Sequence, residues 1–264
     1  MRFAKGHGTE NDFVILPDPP GTLDLTPELV ARICDRRAGL GGDGVLRAVR
    51  ASGGSAEWFM DYRNADGSIA EMCGNGIRVF ARYLVDSGLA SGPEVAVETR
   101  AGTRQVRAEP DGRFTVDMGT PELLGPGTAR IGDRECKGLR VSVGNPHLAC
   151  LVDAPVEEFD LSVPPVVDPG HFPEGGNVEI VRLTAPGAVT MRVRERGSGE
   201  TRSCGTGAVA AAATAAHFCG DETGTWQVLV PGGMLSVTLD GKTSWLTGPA
   251  VIVAEGEISD RWAG

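Results

Sequence analysis

The sequence predicts an α+β fold of two similar lobes, each a strongly curled β-sheet or barrel around a central helix. Three observations carry that expectation. Two short motifs, Cys73-Gly74-Asn75-Gly76 and Cys204-Gly205-Thr206-Gly207, each open an alanine- or aliphatic-rich stretch that reads as a helix, in opposite halves of a 264-residue chain. Each stretch stands among many short β-type runs. The features flanking the two motifs also recur in register, which is the mark of a duplicated unit.

Taken in chain order, the helix after Cys73 places Ile77, Phe80, Ala81 and Leu84 on one face with Arg78 and Arg82 off it, and ends at Gly88. A β-rich run, Val95–Thr99, follows, and a hairpin then leads from Gln105–Glu109 through Pro110-Asp111-Gly112 into Arg113–Asp117. Gly119-Thr120-Pro121 breaks the pattern, which sets the first lobe at residues 1–118 and the second at 119–247. In the second lobe, the strand Val189–Glu195 alternates so that Glu195 continues the apolar face of Val189, Met191 and Val193. The helix after Cys204 is apolar nearly all round from Ala208 to Ala216, as a buried helix is. Trp226–Val230 is β-rich, and Leu235–Leu239 turns at Asp240-Gly241. The tail, residues 248–264, contains Val251–Ala254, a strand expected to return to the first lobe.

The register agreement is specific. Asn64 and Glu195 each lie nine residues before their cysteine, and Gly102 and Gly233 each lie 29 after it. Asn11 lies 62 residues before Cys73, and Asn145 lies 59 before Cys204. An approximate two-fold between such lobes would bring both helix N-termini to one cleft.

The charge of −10 is dispersed, with no basic run and no aromatic interleaving, which argues against nucleic acid as a partner. The start lacks an apolar core, and the stretch Ala208–Ala216 is short for a span, so neither a signal peptide nor a membrane segment is expected. Six cysteines in a chain of this length do not make a disulfide framework, and the reduced cytosol is the expected compartment. No cysteine has zinc-site spacing, so no metal is expected. Cys34, Cys136, Cys150 and Cys219 read as packing residues.

Cysteines at a first helical turn face unpaired N–H groups and the positive end of the helix dipole, which favours the thiolate. A pair of them suits inversion of an amino-acid α-carbon by two-base proton transfer. The α C–H is a very weak acid, and each pK unit of mismatch costs about 1.4 kcal/mol, so stabilising the carbanion is the main task. Backbone N–H groups at Gly74, Asn75, Gly205 and Thr206 could meet the developing enediolate, with no cofactor. The two thiols would titrate as a coupled pair.

At this point the residues resemble a known family. Asn64-Ala65-Asp66-Gly67-Ser68, Glu71-Met72-Cys73-Gly74-Asn75-Gly76-Ile77-Arg78, Gly144-Asn145-Pro146-His147, and Glu195-Arg196-Gly197-Ser198-Gly199-Glu200-Thr201 with Ser203-Cys204-Gly205-Thr206-Gly207 are similar to diaminopimelate epimerase. The resemblance runs from Phe3 to Ala250. It implies a cofactor-independent epimerase interconverting LL- and meso-diaminopimelate in lysine and peptidoglycan precursor biosynthesis, cytoplasmic and homodimeric, with two pseudo-symmetric lobes. It makes Cys73 and Cys204 the base and acid. Asn11, Asn64, Asn145, Asn177, Glu195 and Arg196 would bind substrate with backbone at Gly74, Asn75, Gly205 and Thr206. Arg196 suits the distal carboxylate of a long zwitterion, and His147 and Glu195 would tune the thiols. Gly44 occupies a position where some members have a substrate-contacting glutamine, and Val79 and Val209 stand where relatives often carry cysteines.

Plainer readings exist for several of these residues. A lone Cys-Gly before a helix is most simply a capped turn; its repetition in register favours catalysis. Glu195 could belong to a structural ion pair, His147 could be a satisfied core histidine, and Asn11 and Asn145 could be turn residues. Asn177 after Gly175-Gly176 is, without the resemblance, a loop asparagine. Gly39–Gly44 lacks the ending and spacing of a phosphate loop and reads as a tight turn. Other proton-transfer enzymes of the same architecture, such as proline or hydroxyproline racemases, and a thiol protein switched by a Cys73–Cys204 disulfide, are the competing functions.

Overall fold

In a computed structural model, which describes residues 1–54 and 56–263, the chain divides into two units, Met1–Val116 with Gly248–Gly264 and Asp117–Thr247. The first begins with strands β1 (Arg2–Gly8) and β2 (Asn11–Pro17), paired antiparallel across a turn in which Thr9 and Glu10 both have positive φ. Helix α1 (Pro27–Cys34) follows, with Thr26 Oγ1 accepting from Leu29 N–H and proline in its first turn. These are ordinary start signals, and Val30, Ile33 and Cys34 form its buried face, but the helix is only eight residues long.

Strand β3 (Gly44–Arg50) then lies parallel to β2 and antiparallel to β4 (Trp58–Asn64). After helix α2 (Gly74–Asp86), strand β5 (Glu94–Thr99) lies parallel to β4, and β6 (Gly102–Ala108) and β7 (Phe114–Gly119) continue antiparallel. The chain leaves the first unit within β7. Helix α2 packs against β1, β2, β3, β5 and β6, so the sheet curls round it. That wrapping explains one departure from periodicity. Arg78, expected off the buried face, is 0% exposed, because the strands cover the first turns of α2 on nearly every side.

The second unit opens with β8 (Glu122–Ile131) and β9 (Arg134–Ser142), an antiparallel pair joined at its edge by the short β11 (Val166–Val167) once β10 (Pro146–Leu151) has been laid on β9. Strand β12 (Asn177–Ala185) is parallel to β10 and antiparallel to β13 (Ala188–Glu195), which the small β14 (Gly199–Thr201) extends. After helix α3 (Gly205–Cys219), β15 (Gly224–Val230) lies parallel to β13, and β16 (Gly233–Leu239) and β17 (Ser244–Gly248) follow antiparallel. Helix α3 packs on β9, β10, β12, β13, β15 and β16, and its residues from Ala208 to Ala216 are all buried. Alanine on every face lets the strands approach closely, and Gly220 in the left-handed region ends the helix.

The two units share one order. From β9 to β17, leaving out the edge pieces β11 and β14, the pairing senses run antiparallel, parallel, antiparallel, then across the helix parallel, antiparallel, antiparallel. From β1 to β7 they run identically. The duplication inferred from spacing is therefore a duplication of topology. The tail strand β18 (Val251–Glu257) pairs antiparallel with β1, and Met1 and Ile258 exchange backbone hydrogen bonds beside it.

Cys34, Cys136 and Cys150 are buried as expected of packing residues, but Cys219 is exposed at the C-terminus of α3. No helix among the described residues is long and apolar enough to cross a membrane.

Candidate active site

Each motif cysteine is the N-cap of its helix. Cys73 (φ −139°, ψ 120°) and Cys204 (φ −128°, ψ 120°) both hold extended backbone while the next residue begins the helix. In that geometry the side chain folds back over the first turn. Gly76 N–H donates to Cys73 Sγ at 3.3 Å, and Gly207 N–H donates to Cys204 Sγ at 3.4 Å. Sulfur thus takes the place of the usual cap oxygen.

In the first unit, the Cys73 thiol donates to Asn11 Oδ1 at 3.7 Å, the oxygen that also accepts from Asn75 Nδ2 at 3.2 Å. Asn11 is oriented from its other end, where Nδ2 donates to Asp43 Oδ2 at 2.7 Å. Asp43 in turn belongs to a network with Asp12, Lys5 and Arg36. Asn64 lies at the end of β4, with Nδ2 donating to Ser68 Oγ at 3.0 Å. Asn11, Cys73, Gly74 and Asn75 are therefore brought together, and Asn64 is paired to Ser68 within its own turn.

Gly44 pairs with Asn64 across β3 and β4. A Cβ at Gly44 would lie 2.5 Å from the Arg63 carbonyl oxygen and 2.8 Å from the Tyr62 ring. A glutamine cannot be accommodated there without displacing the backbone of β4, so the contact expected from this position in the sequence has no room in this chain.

In the second unit, a chain of polar groups leads from the strands to the thiol. His147 Nδ1 meets Glu179 Oε1 at 2.7 Å, and His147 Nε2 meets Asn145 Oδ1 at 2.9 Å, with His147 and Glu179 both 0% exposed. Asn145 Nδ2 donates to Thr206 Oγ1 at 3.4 Å, and that hydroxyl lies 3.5 Å from Cys204 Sγ. Glu179 was not singled out from the sequence. Its available signal is a lone carboxylate inside the apolar strand run Asn177-Val178-Glu179-Ile180-Val181, where a charge needs a partner. Glu179 Oε2 is buried without a hydrogen-bond partner among the described residues.

Glu195 stands at the end of β13 and accepts from Thr201 Oγ1 at 2.5 Å. Burial pushes its carboxyl above the usual range, with the nearby Glu179 adding to this and hydrogen bonds from Thr201 and Cys204 opposing it. The Cys204 thiol is pushed well above its ordinary value, first by burial and then by the charges of Glu195 and Glu179; Thr206 and the Gly207 N–H only partly offset them. The expectation that a helix start lowers the thiol is therefore reversed at Cys204, where desolvation and two carboxylates outweigh the N–H groups.

Asn177 Nδ2 donates to the Pro146 carbonyl at 3.1 Å, and its Oδ1 accepts from Arg196 N–H at 2.9 Å. It ties β12 to the first residue of β10 and to the turn after β13, and one N–H is left for other use. The Arg196 side chain is exposed and contacts Glu174 at 3.3 Å. Asn145, His147, Glu195, Thr206 and Cys204 thus form one cluster with Gly205, and Arg196 stands at its exposed edge. No group of three or more His, Cys, Asp or Glu among the described residues could hold a metal ion.

Comparisons with known proteins identify the family and the fold. A family model described as diaminopimelate epimerase matches residues 3–124 and 139–257. The diaminopimelate epimerase of Thermobifida fusca is 59% identical over 98% of this chain and 98% of its own. That of Mycolicibacterium smegmatis is 51% identical over 99% of this chain and 98% of its own. A crystal structure of a probable proline racemase from Agrobacterium radiobacter K84 superposes with a TM-score of 0.70 at 18% identity, covering 99% of this chain and 95% of that one, and it shares the fold. With family-wide matches of this length, the chain belongs to the diaminopimelate epimerase family.

Proposed function

We propose that this isomerase interconverts LL- and meso-diaminopimelate by two-base proton transfer between Cys73 and Cys204. The observation that carries the reading is the repeated cap: two cysteines at equivalent positions of a duplicated topology, each with a helix N–H directed at its sulfur. In the proposed exchange, one cysteine as thiolate takes the α proton and becomes a thiol. The other thiol gives its proton to the opposite face of the same carbon and becomes a thiolate. The proton count is conserved and the two cysteines exchange roles, so the reverse reaction runs with the opposite assignment.

The enediolate formed between these steps carries charge on the substrate carboxylate. N–H groups at Gly74, Asn75, Gly205 and Thr206, in the first turns of α2 and α3, are the donors assigned to it. Asn11 and Asn145, each hydrogen-bonded beside its cysteine, would orient the reacting amino-carboxylate. Asn64, the remaining N–H of Asn177, Glu195 and the exposed Arg196 are assigned to the rest of the substrate, Arg196 to the distal carboxylate. His147 and Glu195 would tune Cys204. The same reading places the enzyme in lysine and peptidoglycan precursor synthesis, with a cytoplasmic location and a homodimeric assembly as its further expectations.

The test is wash-in of solvent deuterium at the α-carbon of diaminopimelate with reductant present. Incorporation together with interconversion of the LL and meso forms is expected. Absence of incorporation, with turnover of a monocarboxylic amino acid instead, would assign the chain to the racemases of the same fold. Cys73→Ala and Cys204→Ala should each abolish net epimerisation, because each face of the carbon needs its own proton carrier. Undiminished turnover in either variant would exclude two-base catalysis.

A further inference from the structure

The two cysteine caps occupy equivalent places on unlike supports. Phe13 pairs with Gly44, two residues before Leu46, and His147 pairs with Asn177, two residues before Glu179. The glycine at the third position of each helix contacts that equivalent pair. A Cβ at Gly76 would lie 3.3 Å from Leu46 and 3.4 Å from Phe13, and one at Gly207 would lie 2.7 Å from Glu179 Oε1. Cys73 therefore stands over an apolar pair where Cys204 stands over a histidine and a carboxylate. Five residues after the cysteine the difference is reversed in sign: α2 carries Arg78 and α3 carries Val209, both 0% exposed.

Arg78 donates from Nη1 to the Gly74 carbonyl at 3.0 Å, from Nη2 to Asn75 Oδ1 at 2.9 Å and from Nε to the Pro249 carbonyl at 3.5 Å. All three acceptors are uncharged. A buried guanidinium that has hydrogen bonds but no anion is only half compensated. Asn75 Nδ2 donates in turn to Asn11 Oδ1, the oxygen that also accepts from the Cys73 thiol, and the guanidinium acts on that sulfur through space. We infer that Arg78 is the counter-charge of a Cys73 thiolate, so that in the free enzyme Cys73 ionises first and Cys204 keeps its proton.

The other charged groups around α2 do not cancel this cation. Lys5 on β1, Asp12 on β2, Arg36 and Asp43 form a closed network in which two cations meet two carboxylates. Strands β3, β5 and β18 contribute the apolar Leu46, Val97 and Ile252. Arg104, on the same face of β6 as buried Val106, adds positive charge. Around Cys204, by contrast, stand the two carboxylates of Glu195 on β13 and Glu179 on β12, and the His147 imidazole on β10 bonds Glu179 and Asn145. The charges of Glu195 and Glu179 both disfavour a Cys204 thiolate, whereas the Cys73 thiol donates to a neutral amide. Burial pulls Arg78 down to about 10, which leaves it charged at neutral pH.

The inference rests on the proposed two-base reading, which needs one thiolate and one thiol at the start of each turnover. Its test uses no substrate. The free protein is alkylated with iodoacetamide across a pH series and each cysteine is followed by peptide mass spectrometry. Access changes the plateau rate, while the pH midpoint reports ionisation. The Cys73 midpoint is expected at least one pH unit below that of Cys204. Arg78→Met should raise the Cys73 midpoint by a unit or more and leave that of Cys204 in place, and Arg78→Lys should restore the wild-type value. A Cys204 midpoint at or below that of Cys73, or a Cys73 midpoint unmoved in Arg78→Met, overturns the inference. If Arg78→Met does not fold, the wild-type order and Arg78→Lys still decide. Failure of the functional reading shows separately, as absent deuterium wash-in with both midpoints measurable.

Discussion

Gly207 sits where a side chain has no room, because a Cβ would come 2.7 Å from Glu179 Oε1, and that oxygen is held by His147. Gly207→Ala must then push the carboxylate off its histidine in a buried site. A loss of about 1–3 kcal/mol is expected, as for other overpacked sites, read as a lower urea midpoint at unchanged m-value. An unchanged midpoint would mean that Glu179 relocates freely. At this scale the sequence showed the groups whose role is local. Cys73 and Cys204 are readable because a helix cap is defined by its next three residues. Glu179 was not, since its importance comes from a partner 32 residues earlier on a parallel strand, His147. Arg78 was assigned to the wrong side of its helix for a related reason: periodicity finds one buried face and does not show that a curled sheet covers the others.

Among the elements, the two cysteine-capped helices, the run before each hairpin and the tail strand all follow from local pattern. Helix α1 shows the limit, with a Thr26 cap and a proline start but only eight residues. The connection after it is held by backbone hydrogen bonds to Ile33, Cys34 and Asp12 and by ion pairs. Asp12 on β2 meets Lys5 on β1 at 2.6 Å and Arg36 in the loop after α1 at 2.7 Å. Although burial opposes it most strongly, the hydrogen bonds and charges of Arg36 and Lys5 together lower the Asp12 carboxyl from 3.8 to about 2. A depressed carboxyl stabilises the fold fully above its unfolded value. That contribution, about 2 kcal/mol from the size of the shift, should fade as pH falls from 4 towards about 2. Urea unfolding over this range should show a steeper loss for the wild type than for Asp12→Asn; parallel curves would remove Asp12 as the cause.

For the whole molecule, the last strand has a structural task out of proportion to its length. β18 covers the open edge of β1, and Met1 and Ile258 bond across it. Deleting residues 248–264 should expose that edge and abolish slow amide exchange in residues 1–116 while residues 117–247 retain theirs, because the second unit contains its own helix and sheet. Uniform protection after deletion would show that the first unit closes without its tail.

The sequence by itself determined the family, the duplication and the two capping cysteines, because each is written in short segments whose chemistry depends on near neighbours. The tertiary structure alone decided what stands beneath those cysteines. Phe13 with Leu46 under one helix, His147 with Glu179 under the other, and Arg78 enclosed without an anion are products of strand pairing between distant segments. Charge acts through space at low dielectric, and the pairing of sheets, not the order of residues, sets those distances.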